Sequence, residues 1–134
     1  MGNQTGRLRK RLARLGALLG AVSVLWACNA PSFPVPPPNP TFSQGATATS
    51  WITTGPAFTP AANARYSIVN VSSAQPAGVI LTANADGSYV APAINGNVDD
   101  HIVIYYETPN GDFSEAICRL LETGQSDPTK ACTP

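Results

Sequence analysis

Basic side chains are scarce beyond residue 27. The chain has eight Lys and Arg residues. Arg7, Arg9, Lys10, Arg11 and Arg14 precede the apolar run that starts at Leu15, and only Arg65, Arg119 and Lys130 come after it. All eight acids (Asp86, Asp99, Asp100, Glu107, Asp112, Glu115, Glu122 and Asp127) lie in that later part, which is five charges negative on its own. The formal balance of zero thus hides a basic head and an acidic remainder. No basic patch is left to neutralise phosphates, which excludes nucleic acid as a partner. An anionic domain is also repelled from anionic lipid heads. Histidine is nearly absent: His101 stands alone. Asp99 and Asp100 lie next to it, but consecutive strand residues point to opposite faces, so they do not build a base with an orienting group. No serine sits in a nucleophile-elbow setting, and no glycine-rich phosphate loop is present. Paired-carboxylate chemistry needs a cleft that so small a domain seldom has. These absences exclude an enzyme and imply no cofactor.

The first 28 residues are the most specific part of the chain. A basic segment without acids is followed by an apolar stretch, Leu15 to Trp26. At about a dozen residues the stretch is too short to cross a ~30 Å hydrocarbon core as a helix. That combination is a secretory signal peptide, and it is left out of the fold reasoning. Its end, Leu25-Trp26-Ala27-Cys28, resembles the bacterial lipoprotein lipobox: an aliphatic residue three before the cysteine, a small residue before it, then Cys. The resemblance implies cleavage after Ala27 and a lipid-bearing Cys28 with a thioether-linked diacylglycerol and an amide-linked third chain of the palmitate type. Two or three chains anchor stably where one does not, at about 0.8 kcal/mol per buried CH₂. Asn29 follows the cysteine; with no Asp there, sorting leans to the outer membrane in an organism with two membranes. The competing expectation is an ordinary signal peptide cut near Ala27 or Ala30, which leaves Cys28 without lipid.

Removal of residues 1–27 leaves about 107 residues, enough for one small domain. Residues 28–44 read as the lipidated cysteine and a tether, because Pro31, Pro34, Pro36, Pro37, Pro38 and Pro40 favour an extended polyproline geometry. Residues 45–134 read as the folded domain. With Cys28 taken by lipid, Cys118 and Cys132 form an even pair in an oxidising compartment, which predicts a disulfide. A loop of about 15 residues closed this way contributes roughly 3 kcal/mol in the chain-entropy model. The alternative use of the pair, for redox chemistry or a metal, lacks ligands: two thiols fourteen positions apart and a single histidine do not make a zinc site.

The pattern of the domain is β-rich. Ala46–Thr53 is a weak strand before a Gly55-Pro56 break. Arg65–Ser72 is a strand with Tyr66 and Ile68 on one face and Val69 and Val71 on the other. In Val79–Ala85, Val79, Leu81 and Ala83 alternate with Ile80 and Thr82. Asp86-Gly87 is a hairpin signal. Ser88–Ile94 is a strand interrupted at Pro92, and His101–Thr108 is the strongest of all. Pro109-Asn110-Gly111-Asp112 is a second hairpin signal. Residues 113–122 carry two patterns. Phe113, Ala116, Ile117, Leu120 and Leu121 form a helical stripe, with Asp112 and Glu115 as a capping box and Gly124 as a stop. The hairpin signal favours a strand, with Ala116, Cys118 and Leu120 inward and Glu115 and Arg119 outward. Short strands divided by turns at this spacing predict an all-β sandwich or small barrel.

Several segments together carry a resemblance. They are Trp51-Ile52-Thr53-Thr54-Gly55-Pro56, Ala64 to Asn70, Ala85-Asp86-Gly87-Ser88-Tyr89-Val90, Asp99 to Ile104 and Gly111-Asp112-Phe113-Ser114. The domain resembles bacterial Ig-like domains, the small antiparallel β-sandwiches of surface proteins and adhesins. That resemblance implies an adhesive or spacer role and no active site. The expected function is a membrane-anchored cell-envelope lipoprotein whose domain contacts an envelope or cell-surface protein. The alternative is a glycan- or calcium-binding domain, with Tyr105, Asp86, Asp99 and Asp112 as ligand contacts. Tyr105 and Tyr106 face opposite sides of one strand, which leaves one of them exposed. The carboxylates qualify only if turns at one end of the sandwich bring them together, since calcium takes six to eight oxygens. Asp is also a common turn former without any ion.

Overall fold

The computed structural model describes residues 34–73, 77–130 and 132. The expected signal segment and the expected lipid site Cys28 lie outside them. The described residues form an antiparallel β-sandwich with one 3₁₀ turn, Thr59–Ala61, and no longer helix among them. The strands are β1 (Thr41–Gln44), β2 (Ser50–Gly55), β3 (Arg65–Asn70), β4 (Ala77–Thr82), β5 (Tyr89–Val90), β6 (Ile94–Asn95), β7 (His101–Glu107), β8 (Ile117–Leu120) and β9 (Gly124–Gln125). The first sheet runs β5-β2-β1-β9, with β6 also paired to β2; the second runs β4-β3-β7-β8.

Alternation along the strands builds the core. Trp51 and Thr53 of β2, Tyr66, Ile68 and Asn70 of β3, and Ile102, Ile104 and Tyr106 of β7 are buried. Their neighbours in sequence are half-buried or exposed, as a period of two requires. The buried faces of both sheets meet in a single cluster that also takes Phe42, Tyr89, Ile94, Ile117 and Leu121. The Tyr66 ring lies 4.3 Å from that of Tyr89 and 5.4 Å from that of Tyr106, centroid to centroid. Aromatic pairs at such distances contribute beyond the area they bury.

Three expectations are corrected. First, β1 occupies four residues assigned to the tether. Phe42 is fully buried, and β1 pairs with β2 on one side and β9 on the other. The preceding prolines are not free either. Pro37 and Pro40 are buried, and the Tyr106 hydroxyl donates to the Val35 carbonyl at 2.6 Å. Arg119 donates through Nε and Nη2 to Asn39 Oδ1 at 2.9 and 2.7 Å. An extended proline-rich segment makes no internal hydrogen bonds, so its carbonyls are open to such donors. Residues 35–40 are a strap on the sandwich.

Second, Asp86-Gly87 is a tight turn but not a hairpin. Gly87 has φ +82, and its N–H donates to Asn84 O at 2.9 Å. The strands it joins, β4 and β5, belong to different sheets. Third, residues 117–120 are a strand, but its faces are reversed. Glu107 bridges to Phe113, whereas Ile104 pairs with Ile117. One more residue lies between Phe113 and Ile117 than between Ile104 and Glu107, which is a β-bulge. Ser114 still faces inward opposite Tyr106, exchanging bonds of 2.9 and 3.0 Å with it. Past the bulge the parity flips, as a one-residue slip must. Ile117 and Leu121 turn inward, Arg119 turns toward the strap, and Ala116 is exposed.

Candidate functional site

The outer face of the second sheet carries Tyr105, His101 and the Cys118–Cys132 pair. It is built from the odd-numbered residues of β3 and β7 and the even-numbered ones of β4 and β8. The register sets them in rows: Gly78, Val69, Val103 and Cys118; Ile80, Ser67 and Tyr105; Thr82, Arg65 and Glu107. Tyr105 stays half-buried on this face while Tyr106 is in the core, as the alternation predicts. Its ring lies 6.4 Å from that of Phe113, which is 58% exposed. Between Tyr105 and the edge of the sheet is an open hollow of about 270 Å³, lined by Ser67, Val69, Gly78, Val79, Ile80 and Tyr105. The missing side chain at Gly78 contributes to the hollow. The lining is largely apolar with the two hydroxyl-bearing residues Ser67 and Tyr105, a surface for a side chain or a sugar ring.

At the far corner of this face Cys118 and Cys132 form the predicted disulfide, with Cα atoms 5.3 Å apart. The flipped parity after the bulge is what puts Cys118 outside, where the tail reaches it. His101 joins them: one of its ring nitrogens and both sulfurs lie within 4.8 Å of one another. This closeness was not legible from spacing, because strand pairing brings His101 next to them. Joined sulfurs offer no thiolate, which is the form that binds metals.

The three aspartates do not come together. Asp86 follows β4 and Asp112 follows β7, both at the end where Arg65 pairs with Thr82 and Glu107. Asp99 precedes β7 at the opposite end. The seven residues of β7 separate the two ends by about 20 Å, at ~3.3 Å per residue. Each aspartate has a local role. Asp86 Oδ1 accepts from Ser88 Oγ at 2.7 Å and Ser88 N at 2.9 Å, which holds its carboxyl below the usual carboxylate range. Asp99 takes a left-handed φ of 68 and its N–H donates to Leu121 O. Asp112 N donates to Thr108 Oγ1 at 3.1 Å in the β7–β8 turn. Asp100 is engaged too: its Oδ2 accepts from Asn70 Nδ2 at 2.7 Å and Asn97 N at 2.9 Å.

Asn70 was not singled out for a role by the sequence, yet it ties one end of the sandwich together. It is fully buried and also donates to Asn95 O at 3.1 Å while its Oδ1 accepts from Ser72 N at 3.0 Å. A Cβ on Gly96 would meet Asn70 Nδ2 and Leu121 Cδ2, each at 2.8 Å, so only glycine fits beside this knot. Trp51 Nε1 closes it with a 3.0 Å bond to Gly96 O. No known protein family, curated protein or solved structure matches this chain.

Proposed function

We propose that this chain is a lipid-anchored cell-envelope protein carrying a non-catalytic, Ig-like interaction domain. Cys28 is the anchor, in the outer membrane where the organism has two. The surface centred on Tyr105 is where an envelope or cell-surface protein docks. The observation that carries the reading is the outer face of the second sheet. There Val69, Ile80 and Tyr105 line a largely apolar hollow that nothing among the described residues covers, and exposed Phe113 lies beside the Tyr105 ring. Exposed apolar patches on small domains mark contact surfaces. The lipobox resemblance supports the anchor, and the resemblance to bacterial Ig-like domains supports the adhesive role.

Two experiments test it. A labelled palmitate precursor should enter the wild-type chain in an exporting bacterium and not the Cys28→Ser variant, which should leave the membrane fraction. Equal labelling of both would overturn the anchor. For the domain, the full chain in mild detergent serves as bait on solubilised envelope. It should retain a specific protein, and Tyr105→Ala should lose at least about tenfold of it, since hot spots centre on buried aromatics. Retention only of polysaccharide, or only with calcium present, would move the reading to the glycan- or calcium-binding alternative.

A further inference from the structure

Five strands lie at the sheet edges among the described residues, and four of them are protected. In the first sheet the edge strands β5, β6 and β9 have two residues each. In the second sheet β8 has its Cys118 carbonyl capped by Arg119 Nη1 at 2.8 Å, and the disulfide brings the tail beside it. The fifth edge, β4, has six residues, Ala-Gly-Val-Ile-Leu-Thr, with no charge, no proline and no bulge in its pairing with β3. Natural sheets usually blunt such an edge with a charge, a proline or a cover.

The backbone direction follows from one bond. Ala83 N–H donates to Ala64 O at 2.8 Å, in register with the β3–β4 ladder. Along an antiparallel strand the hydrogen-bonding side alternates. Ala77, Val79 and Leu81 therefore turn their backbone groups to β3. Gly78, Ile80 and Thr82 present theirs to the open edge. All three are exposed on the outer face, where Ile80 and Thr82 carry side chains, and Ile80 is 60% exposed.

We infer that β4 pairs with β4 of a second copy of this chain, antiparallel about a two-fold axis at Ile80. In that register Ile80 lies opposite the partner's Ile80, and Gly78 opposite the partner's Thr82. Three residue pairs exchange backbone hydrogen bonds, and the two second sheets become one continuous eight-stranded sheet. The occupant follows from charge and shape. The strand is neutral in an acidic domain, so neither a basic nor an acidic peptide finds a complement on it. Two copies of the strand meet without like charges opposite each other. The nearest cation, Arg65, sits one strand inward beside Thr82, so the two-fold sends the two copies of it to opposite ends. Gly78 leaves room for Thr82, and a β-branched pair at the centre is among the favoured cross-strand pairs. A strand edge buries less than the ~1,200–2,000 Å² of a standard interface, so the dimer is weak in dilute solution. Confinement of both copies to one membrane raises their effective concentration.

The inference rests on the reading of this domain as an interaction module. Directly opposed residues in a hydrogen-bonded pair have Cα atoms about 5.5 Å apart, inside the range a disulfide spans. The full chain carrying Ile80→Cys, made in an exporting bacterium, should run as a disulfide-linked dimer on a non-reducing gel. Val90→Cys, equally exposed but on the first sheet, should not. A monomeric Ile80→Cys chain, equal cross-linking of both variants, or cross-linking of Ile80→Cys to a different protein would overturn the pairing. In a second measurement, sedimentation of the purified chain in detergent, Ile80→Lys sets like charges opposite each other. It should raise the dimer dissociation constant at least roughly tenfold with the thermal midpoint unchanged. An unaltered constant would overturn the proposal. The Tyr105→Ala capture, which leaves the edge intact, separates failure of this pairing from failure of the interaction reading.

Discussion

Two tyrosines carry hydroxyls that are buried without a partner among the described residues, those of Tyr66 and Tyr89. Burial pushes both well above the ordinary phenol value, with the neighbouring phenols of Tyr106 and Tyr66 respectively adding to it. Tyr106 is shifted up by burial as well, but its hydroxyl is bonded to Val35 O. The three rings touch and yet separate on substitution. Tyr66→Phe and Tyr89→Phe remove an unsatisfied group and should be neutral or stabilising in urea unfolding. Tyr106→Phe loses a bond to the strap and should cost about 0.5–1.5 kcal/mol. The same burial sets an alkaline limit. A phenol whose folded value is raised contributes in full below its unfolded value of about 10 and loses that contribution as pH climbs past it. Thermal midpoints should hold through neutral pH and fall above about pH 10. The double Phe variant at Tyr66 and Tyr89 should fall less. An identical decline in wild type and double variant would show that other groups set the limit.

Strands were legible where alternation was strong and neighbours were local. In β3 and β7 the buried positions repeat every second residue, and the sequence put Tyr66 and Ile68 on one face and Tyr105 and Tyr106 on opposite ones, as found. What failed was non-local. Nothing near Asp86 tells that its turn hands the chain from one sheet to the other. The bulge before Ile117 arises from pairing with β7, so the inward face of β8 could not be read from its own residues. The strap was hidden for the same reason: its partners, Tyr106 and Arg119, lie about 70–80 positions away. The site was half legible: Tyr105 and the disulfide were visible as residue types, while His101 beside the sulfurs and Asp99 apart from the other two acids depend on topology. Two predictions belong to these elements. Reduction of Cys118–Cys132 should lower stability by roughly 3 kcal/mol, the loop-closure value for about 15 residues, measured as the urea midpoint with and without a phosphine reductant. Arg119→Met keeps the stem but removes both bonds to Asn39. Amide exchange should then quicken at Asn39 and at residues 41–44 while β3 stays protected. Uniform quickening throughout the domain would mean that Arg119 supports the core rather than the strap.

For the molecule as a whole, the functional boundary of the domain lies before the prolines. A chain trimmed to begin at Thr41 loses buried Pro40 and the Val35 and Asn39 contacts. Its thermal midpoint should drop by several degrees against one beginning at Phe33, since about 1 kcal/mol shifts a domain of this size by ~4–8 °C. An unchanged midpoint would return residues 34–40 to the tether. The placement of β1 also has a mechanical consequence. It is the first strand of the domain, and it lies inside the first sheet, held by β2 on one side and β9 on the other. A pull delivered from the N-terminal side must first strip the strap from Tyr106 and Arg119. It then loads β1 along its own axis. Force in that direction strains the ladder bonds on both flanks together and does not unzip them one at a time, so the domain resists a tug on its N-terminal end without opening.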